Sequence, residues 1–459
     1  MRIVVVPSPF PDDVLTILYA ILENCAARCL RNTSSLMLTS IVSIADFAAC
    51  SVAFCWTFCA SVHPPNTRLE HKRRATACVF IICTYCTKLI CGLQIDVYTR
   101  EVKQSVLVLL GTLFLFSLIS LLVLSSVSPQ SLWSQAIAFL IGGVVLYMSA
   151  RLPFSAWKKL AIPLLLSVIF LFLLTFILGK TTKGSTRWIS LGIGQFQPSQ
   201  FGKPIYALAL TVLAGASLKK PRKIMKFLGY ALVPAGLVFF QPDLGTAVIY
   251  ITIAGAVILA SDMPVQYLLG LLVVCVVLGT LSWFVVLRDY QRQRIYSFVH
   301  PDQNALHAGY NARQAMIAVG SGKIFGRGLG HGIQSGLKFL PEKHTDFFFS
   351  SISEELGLIG GGIVLVLYGM LFSVLHRIMH TARDPVSKIF MFALISGLFA
   401  QTAINIGMNI GLLPITGITL PLLSFGGSSV VSTCLFLGIA SSAAKTAKPG
   451  SVVEFRSFL

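Results

Sequence analysis

The sequence predicts an all-α polytopic membrane protein with about ten transmembrane helices. Its 459 residues are 55% hydrophobic and only 12% charged, and the mean hydropathy of +0.80 does not fit the surface of a soluble domain. Apolar runs near the ~20 residues that a spanning helix needs recur along the chain. A β-barrel would show short segments of alternating hydrophobicity in their place.

The predicted spans follow one another regularly after residue 100. They are placed near 105–127, 133–150, 159–179, 201–217, 226–241, 244–261, 265–287, 352–376, 387–410 and 428–444. A large extracytoplasmic loop therefore separates the seventh span from the eighth. Glycine, proline and hydroxyl residues interrupt the stretch 405–429, and irregular backbone is tolerated at membrane depth only where protein or a watery cavity surrounds it. This stretch is predicted to be a re-entrant segment that lines a site.

The chain is predicted to divide near residue 100. Residues 1–100 form a poorly determined N-terminal extension, because the basic cluster at 71–74 lies between two apolar stretches and opposes the usual charge bias of a membrane hairpin. The extension is interpreted either as a lineage-specific addition or as upstream sequence from a misassigned start site. Residues 101–446 form the transmembrane domain, and residues 447–459 form a cytoplasmic tail.

Charge assigns the two sides of the transmembrane domain. The net charge is +19, and the basic clusters fall in alternate connections, as the positive-inside rule requires of cytoplasmic loops. These clusters lie near 151–159, 219–226, 377–388 and 445–456. The opposite side includes the long basic segment 288–351, which indicates an anionic partner at the outer face of the membrane. Nucleic acid is excluded as a partner, because the basic residues lie in separate short loops of a highly apolar chain.

The polar segment 336–356 contains the strongest candidates for catalytic and substrate-binding residues. Its carboxylate Asp346 stands before three phenylalanines, and an acid beside an apolar wall suits a general base. The alternative is an acid that favours the N-terminus of the next helix. Candidate substrate-binding residues in the same segment are Lys338, Glu342, His344, Thr345, Glu354 and Glu355. At least one of the two adjacent glutamates is expected to face a cavity or a cationic partner, because both begin an apolar span.

Two further polar connections supply candidates for substrate binding. Arg187 and Lys203 are candidate phosphate donors, the alternatives being an interfacial anchor for the arginine and a snorkelling lysine. Asp243 is an acid near membrane depth and is either functional or the cap of the next helix. The remaining candidates are Gln197, Gln241, Ser424, Ser428 and Ser429. The last two serines could alternatively begin the final helix. No set of metal-ligating residues is predicted.

Five motifs in order along residues 100–445 resemble the SEDS family of shape, elongation, division and sporulation proteins, typified by RodA, FtsW and SpoVE. The motifs lie at 187–188 with 197–199, at 241–246, at 340–347, at 354–357, and at 411–414 through 424–429. Each motif alone is modest, but five in sequence are highly specific. The forms of 241–245 and 405–408 are closest to RodA.

The resemblance implies a peptidoglycan glycosyltransferase that serves cell elongation and shape maintenance. Such a protein would polymerise lipid II, an undecaprenyl-pyrophosphate-linked disaccharide-pentapeptide, at the outer face of the cytoplasmic membrane. The acid that matches Asp346 is the essential carboxylate of the family. The resemblance also implies a class B penicillin-binding protein as the crosslinking partner, within a cell-shape or divisome complex. It implies a divalent cation, Mg or Mn, and no organic cofactor.

The chain departs from the family pattern at two polar positions. Gln200 stands where the family usually has Glu, which removes one carboxylate, although an amide keeps a hydrogen bond. Phe425 replaces a common Tyr and loses its hydroxyl.

Two other functions remain open from the sequence. A lipid II flippase would fit buried charges in a polytopic protein, but a transporter is expected to show matched broken helices, and the sequence indicates only one broken segment. A non-catalytic scaffold for the penicillin-binding protein would tolerate the loss of Asp346.

Overall fold

The computed structural model describes residues 104–182, 185–190, 195–285, 289–299, 308–337, 339–382 and 384–445. A helix stands at each of the ten predicted span positions, which confirms the all-α class. The predicted N-terminal extension and the C-terminal tail lie outside the described residues.

The helices are numbered in chain order. The first seven are α1 (Gln104–Val127), α2 (Leu132–Arg151), α3 (Phe154–Leu178), α4 (Pro198–Ala214), α5 (Pro221–Phe240), α6 (Leu244–Ala260) and α7 (Val265–Val285). They are followed by α8 (Asp289–Val299), α9 (Ala308–Ser321), α10 (Ile333–Gly336), α11 (Phe348–Thr381), α12 (Pro385–Asn409) and α13 (Gly427–Lys445). Between α3 and α4 lie three short antiparallel strands, β1 (Lys180–Thr182), β2 (Ser185–Ser190) and β3 (Gln195–Phe196).

Eight helices of the described chain are long and apolar enough to cross a membrane. Helices α4 and α6 have 17 residues each and fall just short of that length. Helix α4 is enclosed by α3, α5, α6, α12 and α13. Helix α6 packs against α4, α5 and α12 and exposes Val248, Ile251 and Leu259 on its remaining face. The number of membrane crossings therefore stays a prediction, while the multi-pass architecture is clear.

Small residues and contacts between aromatic rings allow the helices of the core to pack closely. Helices α2 and α13 approach closely because Gly438 of α13 faces α2, where an added Cβ would lie 1.8 Å from Ser149 Oγ. Tyr206 of α4 and Tyr250 of α6 pack with ring centroids 4.6 Å apart. The outer faces of α2, α3 and α7 expose large aliphatic side chains, as lipid-facing helices do.

The long helix α11 is broken at Gly357, where the backbone turns to φ 68° and ψ −163°. A Cβ at this position would lie 2.3 Å from the backbone nitrogen of Gly326, so a residue with a side chain cannot be placed here without displacement. The sequence indicated only one broken segment, and the structure adds this second one. The nearby glycines at 360–362 lie in regular helix, so the presence of a glycine did not by itself show where the helix would break.

Residues 410–426, all of them described, form turns, bends and irregular backbone between α12 and α13. The predicted interruption of the apolar stretch is therefore confirmed, but it is shorter than predicted, because residues 405–409 and 427–429 are helical. Side chains of neighbouring helices bond to its carbonyls: the Ser120 hydroxyl donates to Leu423 O at 2.7 Å, and the Asn405 amide donates to Ile418 O at 2.6 Å. Protein thus surrounds the irregular backbone, as an apolar environment requires.

Candidate active site

The Asp346 turn, residues 340–347, connects the short helix α10 to α11 and contains the predicted carboxylate. The N–H groups of Thr345 and Phe347 both donate to Glu342 O, at 3.1 and 3.3 Å. The Thr345 hydroxyl also donates to Glu342 Oε2 at 3.0 Å, and the Lys343 ammonium donates to Ser335 O. Phe347 caps α11, and Asp346 stands just before it with a partly exposed side chain.

Two asparagines of α12 hold this turn through its main chain. Asn405 Nδ2 and Asn409 Nδ2 donate to Asp346 O, at 3.0 and 3.1 Å. Asn409 Oδ1 also accepts hydrogen bonds from Ser350 N at 3.1 Å and from Ser350 Oγ at 2.6 Å, so the same side chain ties the start of α11 to α12. Both asparagines are fully buried, where an amide that makes these bonds rigidifies its surroundings.

The 410–426 segment passes directly beside the Asp346 turn. Phe425 N donates to His344 O at 2.8 Å, and the two rings lie 5.6 Å apart. Gly417 has φ +73°, and a Cβ built on it would lie 3.5 Å from Asp346 Oδ2. The carboxylate therefore lies next to the backbone of the segment that was predicted to line a site.

A second polar cluster joins β2, α4, α6 and α13. Arg187 Nη1 lies 3.3 Å from Asp243 Oδ1, and Gln197 Nε2 donates to Asp243 Oδ2 at 3.0 Å. Asp243 also accepts from Thr246 N at 3.2 Å, so it both caps α6 and pairs with a cation. Gln197 N donates to Ser428 Oγ at 3.2 Å, which ties the cluster to the start of α13. Four predicted residues are thus brought together here: Arg187, Gln197, Asp243 and Ser428.

Lys203 points into the protein rather than towards an interface. It is 6% exposed, and its Nζ donates to Gln401 Oε1 at 2.6 Å. Gln401 Nε2 in turn donates to Thr419 O at 2.9 Å, and the Thr419 hydroxyl lies 3.2 Å from Ser429 Oγ. A cavity about the size of one water molecule adjoins Lys203, Gln401 and Ser432. The snorkelling alternative for Lys203 is therefore wrong.

Gln241 and Ser424 make hydrogen bonds to main-chain groups. Gln241 Nε2 donates to Phe172 O at 3.0 Å, and Ser424 Oγ accepts from Leu420 N at 2.9 Å. The candidate Lys338 lies outside the described residues.

Glu354 and Glu355 are buried in the first part of α11. The Glu354 carboxylate accepts from Gln334 N at 2.7 Å, from Ser335 N at 3.0 Å and from Ser335 Oγ at 2.8 Å. Glu355 Oε1 accepts from the Ser126 hydroxyl of α1 at 2.5 Å. The two side chains thus reach different elements, although they are neighbours in sequence.

Gln200 lies in the buried part of α4. Its carbonyl accepts from Ser432 Oγ at 2.5 Å, and its amide oxygen makes no hydrogen bond within the described residues. The departure from the family pattern therefore removes a charge from the interior, one helical turn from Lys203.

Sequence reasoning missed several polar residues that hold the site. The amides Gln401, Asn405 and Asn409 recur every four residues, which places them on one face of α12, towards the 410–426 segment and the Asp346 turn. On the other side, Gln135 Nε2 of α2 donates to Ser424 O at 3.3 Å. The three amides of α12 could have been identified from the sequence, because they stand four residues apart inside an apolar span.

Among the described residues, no group of three or more His, Cys, Asp and Glu side chains is placed to hold a metal ion. The donors of the described residues therefore do not fit a cation held by protein ligands alone. A divalent cation that keeps its waters and shares a substrate phosphate needs only one or two protein carboxylates.

A family model described as "Cell cycle protein", of FtsW, RodA and SpoVE, matches residues 101–449. The chain belongs to this family. The peptidoglycan glycosyltransferase MrdB of Escherichia coli K12 is 36% identical over 341 residues, which cover 72% of this chain and 91% of the relative. The probable peptidoglycan glycosyltransferase FtsW of Geobacter metallireducens is 34% identical over 315 residues, which cover 66% and 82%.

Solved structures of the family share the fold. A chain of a peptidoglycan synthase complex, solved to describe the coordination of polymerization and crosslinking, has a TM-score of 0.64 and 28% identity, covering 73% of this chain and 96% of that chain. The rod shape determining protein RodA of Thermus thermophilus has a TM-score of 0.56 and 25% identity, covering 73% and 95%. The resemblance to SEDS proteins that the motifs predicted is thereby confirmed.

Proposed function

We propose that this chain polymerises lipid II into glycan strands during cell-wall synthesis. Its family membership and its relatives, named as peptidoglycan glycosyltransferases, support glycosyltransferase activity in cell-wall synthesis and cell shape. The lipid-linked substrate, the extracytoplasmic placement of the site and the residue roles belong to the proposal. The observation that carries it is the Asp346 turn, in which a carboxylate is held beside an irregular backbone segment by two buried asparagines.

The reaction requires a base and a site for a polyanionic leaving group. The 4-hydroxyl of one sugar attacks the anomeric carbon of a sugar linked to undecaprenyl pyrophosphate, and Asp346 takes the hydroxyl proton. A new C–O bond forms, and the bond between the anomeric carbon and the pyrophosphate oxygen breaks. Because the turn is fixed through the Asp346 carbonyl, its carboxylate can hold a set position towards the acceptor sugar.

Arg187 is the better placed of the two predicted phosphate donors. It is bonded to the buried Asp243 but keeps 21% of its side chain exposed, whereas Lys203 is enclosed and bonded to Gln401. We assign leaving-group stabilisation to Arg187 and assign Lys203 to the support of the 410–426 segment through Gln401. A divalent cation is proposed to accompany the pyrophosphate.

A class B penicillin-binding protein is the proposed partner in the membrane. Similarity to a chain of a peptidoglycan synthase complex supports an assembly of this kind, since that complex couples polymerization to crosslinking. Elongation or division is the process in which such a pair would act.

A flippase is the second candidate, and one observation favours it. The described chain has two interruptions, the break in α11 and the irregular 410–426 segment. Transporters build their sites from such interruptions. The two functions differ in whether Asp346 performs chemistry, and a scaffold would likewise not need its carboxylate.

The test is polymerisation of fluorescent lipid II by the purified protein, alone and with a class B penicillin-binding protein. Asp346→Asn is expected to lower the rate by about 10²–10⁴-fold, since that is the usual contribution of a general base. Asp262→Asn is the control. Asp262 lies in the connection between α6 and α7, is exposed, and pairs there with Lys219 from the connection between α4 and α5. It is expected to keep full activity.

Polymer from the wild type and none from a folded Asp346→Asn variant would support the proposal. Equal polymer from both would remove Asp346 from the mechanism. Transfer of lipid II across vesicles by a wild-type protein that makes no polymer would support the flippase.

A further inference from the structure

The glycine loop, residues 322–332, contacts the break in α11 through its backbone. Because α11 is interrupted at Gly357, the carbonyls of Glu354 and Glu355 lack the N–H donors that a continuous helix would provide. Arg327 N donates to Glu354 O and Gly328 N donates to Glu355 O, both at 3.0 Å. Main-chain groups of the loop thus replace the missing helical donors.

The same loop accepts hydrogen bonds from the other side of the break. Leu358 N donates to Lys323 O at 2.8 Å, and Ile359 N donates to Ile324 O at 3.2 Å. The loop is therefore bonded to both halves of α11, and Gly357 lies between them.

Glu354 also holds α10, the short helix that follows the glycine loop. Its carboxylate is fully buried and accepts three donors, the N–H groups of Gln334 and Ser335 and the Ser335 hydroxyl. Both carboxylate oxygens are used. An amide at this position would have one acceptor oxygen, and its NH2 group would face a donor.

Glu355 fixes the loop with one oxygen only. Its Oε1 accepts from Ser126 Oγ at 2.5 Å and from Gly330 N at 3.2 Å, whereas its Oε2 is buried and has no partner among the described residues. An amide could keep the Oε1 contacts and place its NH2 at the Oε2 position.

Helix α10 in turn contacts the Asp346 turn. Leu340 N donates to Gln334 O at 3.2 Å, and the Lys343 ammonium donates to Ser335 O. The two residues whose N–H groups Glu354 accepts therefore provide the carbonyls that hold the start of the turn. Lys343 precedes Asp346 by three residues.

We propose that Glu354 and Glu355 are positioning residues that hold the glycine loop and α10 against the break in α11, so that the Asp346 turn keeps its place. This role rests on the proposed polymerase function. It predicts an asymmetry between two adjacent acids: the Glu354 side chain needs both oxygens as acceptors, whereas the Glu355 side chain needs one. A role in binding a cation or a cationic part of the substrate would instead require the charge of each carboxylate.

The experiment compares Glu354→Gln with Glu355→Gln in the full chain, in detergent or nanodiscs. Amide hydrogen exchange over residues 322–337 reports the docking, and lipid II polymerisation gives kcat and KM. We expect Glu354→Gln to speed exchange in this stretch about tenfold or more, because it loses a hydrogen bond to a charged acceptor. We expect kcat to fall about tenfold while KM changes little, since the substrate contacts stay.

Glu355→Gln is the matched comparison and is expected to shift exchange and kcat by a smaller factor than Glu354→Gln does, because its one acceptor atom is retained. Asp262→Asn, which changes an exposed acid paired with Lys219, is the control that is expected to match the wild type. If Glu354→Gln does not fold, Ser335→Ala replaces it. That variant removes one of the three donors to Glu354 and is expected to shift exchange in the same direction by a smaller factor.

The outcomes separate this proposal from the function on which it rests. Unchanged exchange in Glu354→Gln, or faster exchange without loss of kcat, would overturn the positioning role. Equal loss of activity in both glutamine variants with normal exchange would show that charge is what matters, and would also overturn it. If the wild type makes no polymer, the proposed function fails, while hydrogen exchange still decides whether Glu354 holds the loop.

Discussion

Asp346 is held by its main chain, and the side chains that hold it come from a helix about 60 residues later in sequence. Asn405 and Asn409 bond to its carbonyl, and the same two amides reach Ile418 and Ser350. A substitution at Asp346 that changes only the carboxylate therefore leaves these hydrogen bonds in place.

Asn405→Leu is expected to lower the free energy of unfolding by about 2 kcal/mol, because Ile418 O and one lone pair of Asp346 O lose a buried donor. Polymerisation is expected to fall as well, since the turn is less well fixed. Thermal unfolding in detergent measures the first effect and the lipid II assay the second.

Thr252→Val is the control for Asn405→Leu, because its hydroxyl bonds to Val248 O within its own helix. It is expected to leave both quantities unchanged. An Asn405→Leu variant as stable as the wild type would contradict the structural role of this amide.

At the scale of the element, the 410–426 segment and the break in α11 find hydrogen-bond partners for their backbone groups in different ways. The 410–426 segment relies on side chains of α1, α2 and α12, including Ser120 and Asn405. The break in α11 relies on the backbone of the glycine loop. Both solutions meet the same requirement, because an unpaired peptide group in an apolar environment costs several kcal/mol.

Gly357→Ala is expected to destabilise the protein by about 3 kcal/mol or more, because its φ is positive and the new Cβ would clash with the backbone of Gly326 and Ile324. Gly362→Ala is the matched control in the same helix, since a Cβ there meets no atom within 4 Å. It is expected to change the melting temperature little or to raise it. Equal melting temperatures for both variants would contradict a required break at Gly357.

At the scale of the whole molecule, the site is assembled from elements that are far apart in sequence. The polar cluster of Arg187, Gln197, Asp243 and Ser428 joins β2 to the starts of α6 and α13. The Asp346 turn joins α10, α11 and α12. The 410–426 segment contacts the Asp346 turn through Phe425 and reaches the first turn of α13 through Thr419 and Ser429. A cation held by protein alone has no ligand cluster in the described part of the chain.

Removal of divalent cations with a chelator is expected to lower polymerisation without lowering the melting temperature. The physical reason is that a cation bound chiefly by substrate phosphate and water contributes to the reaction and not to the free enzyme's stability. Restoration of activity by Mg²⁺ or Mn²⁺ is the control. A melting temperature that falls on chelation would point to a structural cation.

The sequence by itself determined the all-α membrane class, the positions of the long apolar helices, the presence of an interruption before the last helix and the family, because these depend on local composition and on short motifs. It also singled out Asp346, Arg187 and Asp243. Only the tertiary structure decided which groups meet: Asn409 with Asp346, Arg187 with Asp243, and the glycine loop with the break at Gly357. The physical reason is that a buried polar group takes whichever partner the packing of distant helices brings within about 3 Å, and no local pattern encodes that partner.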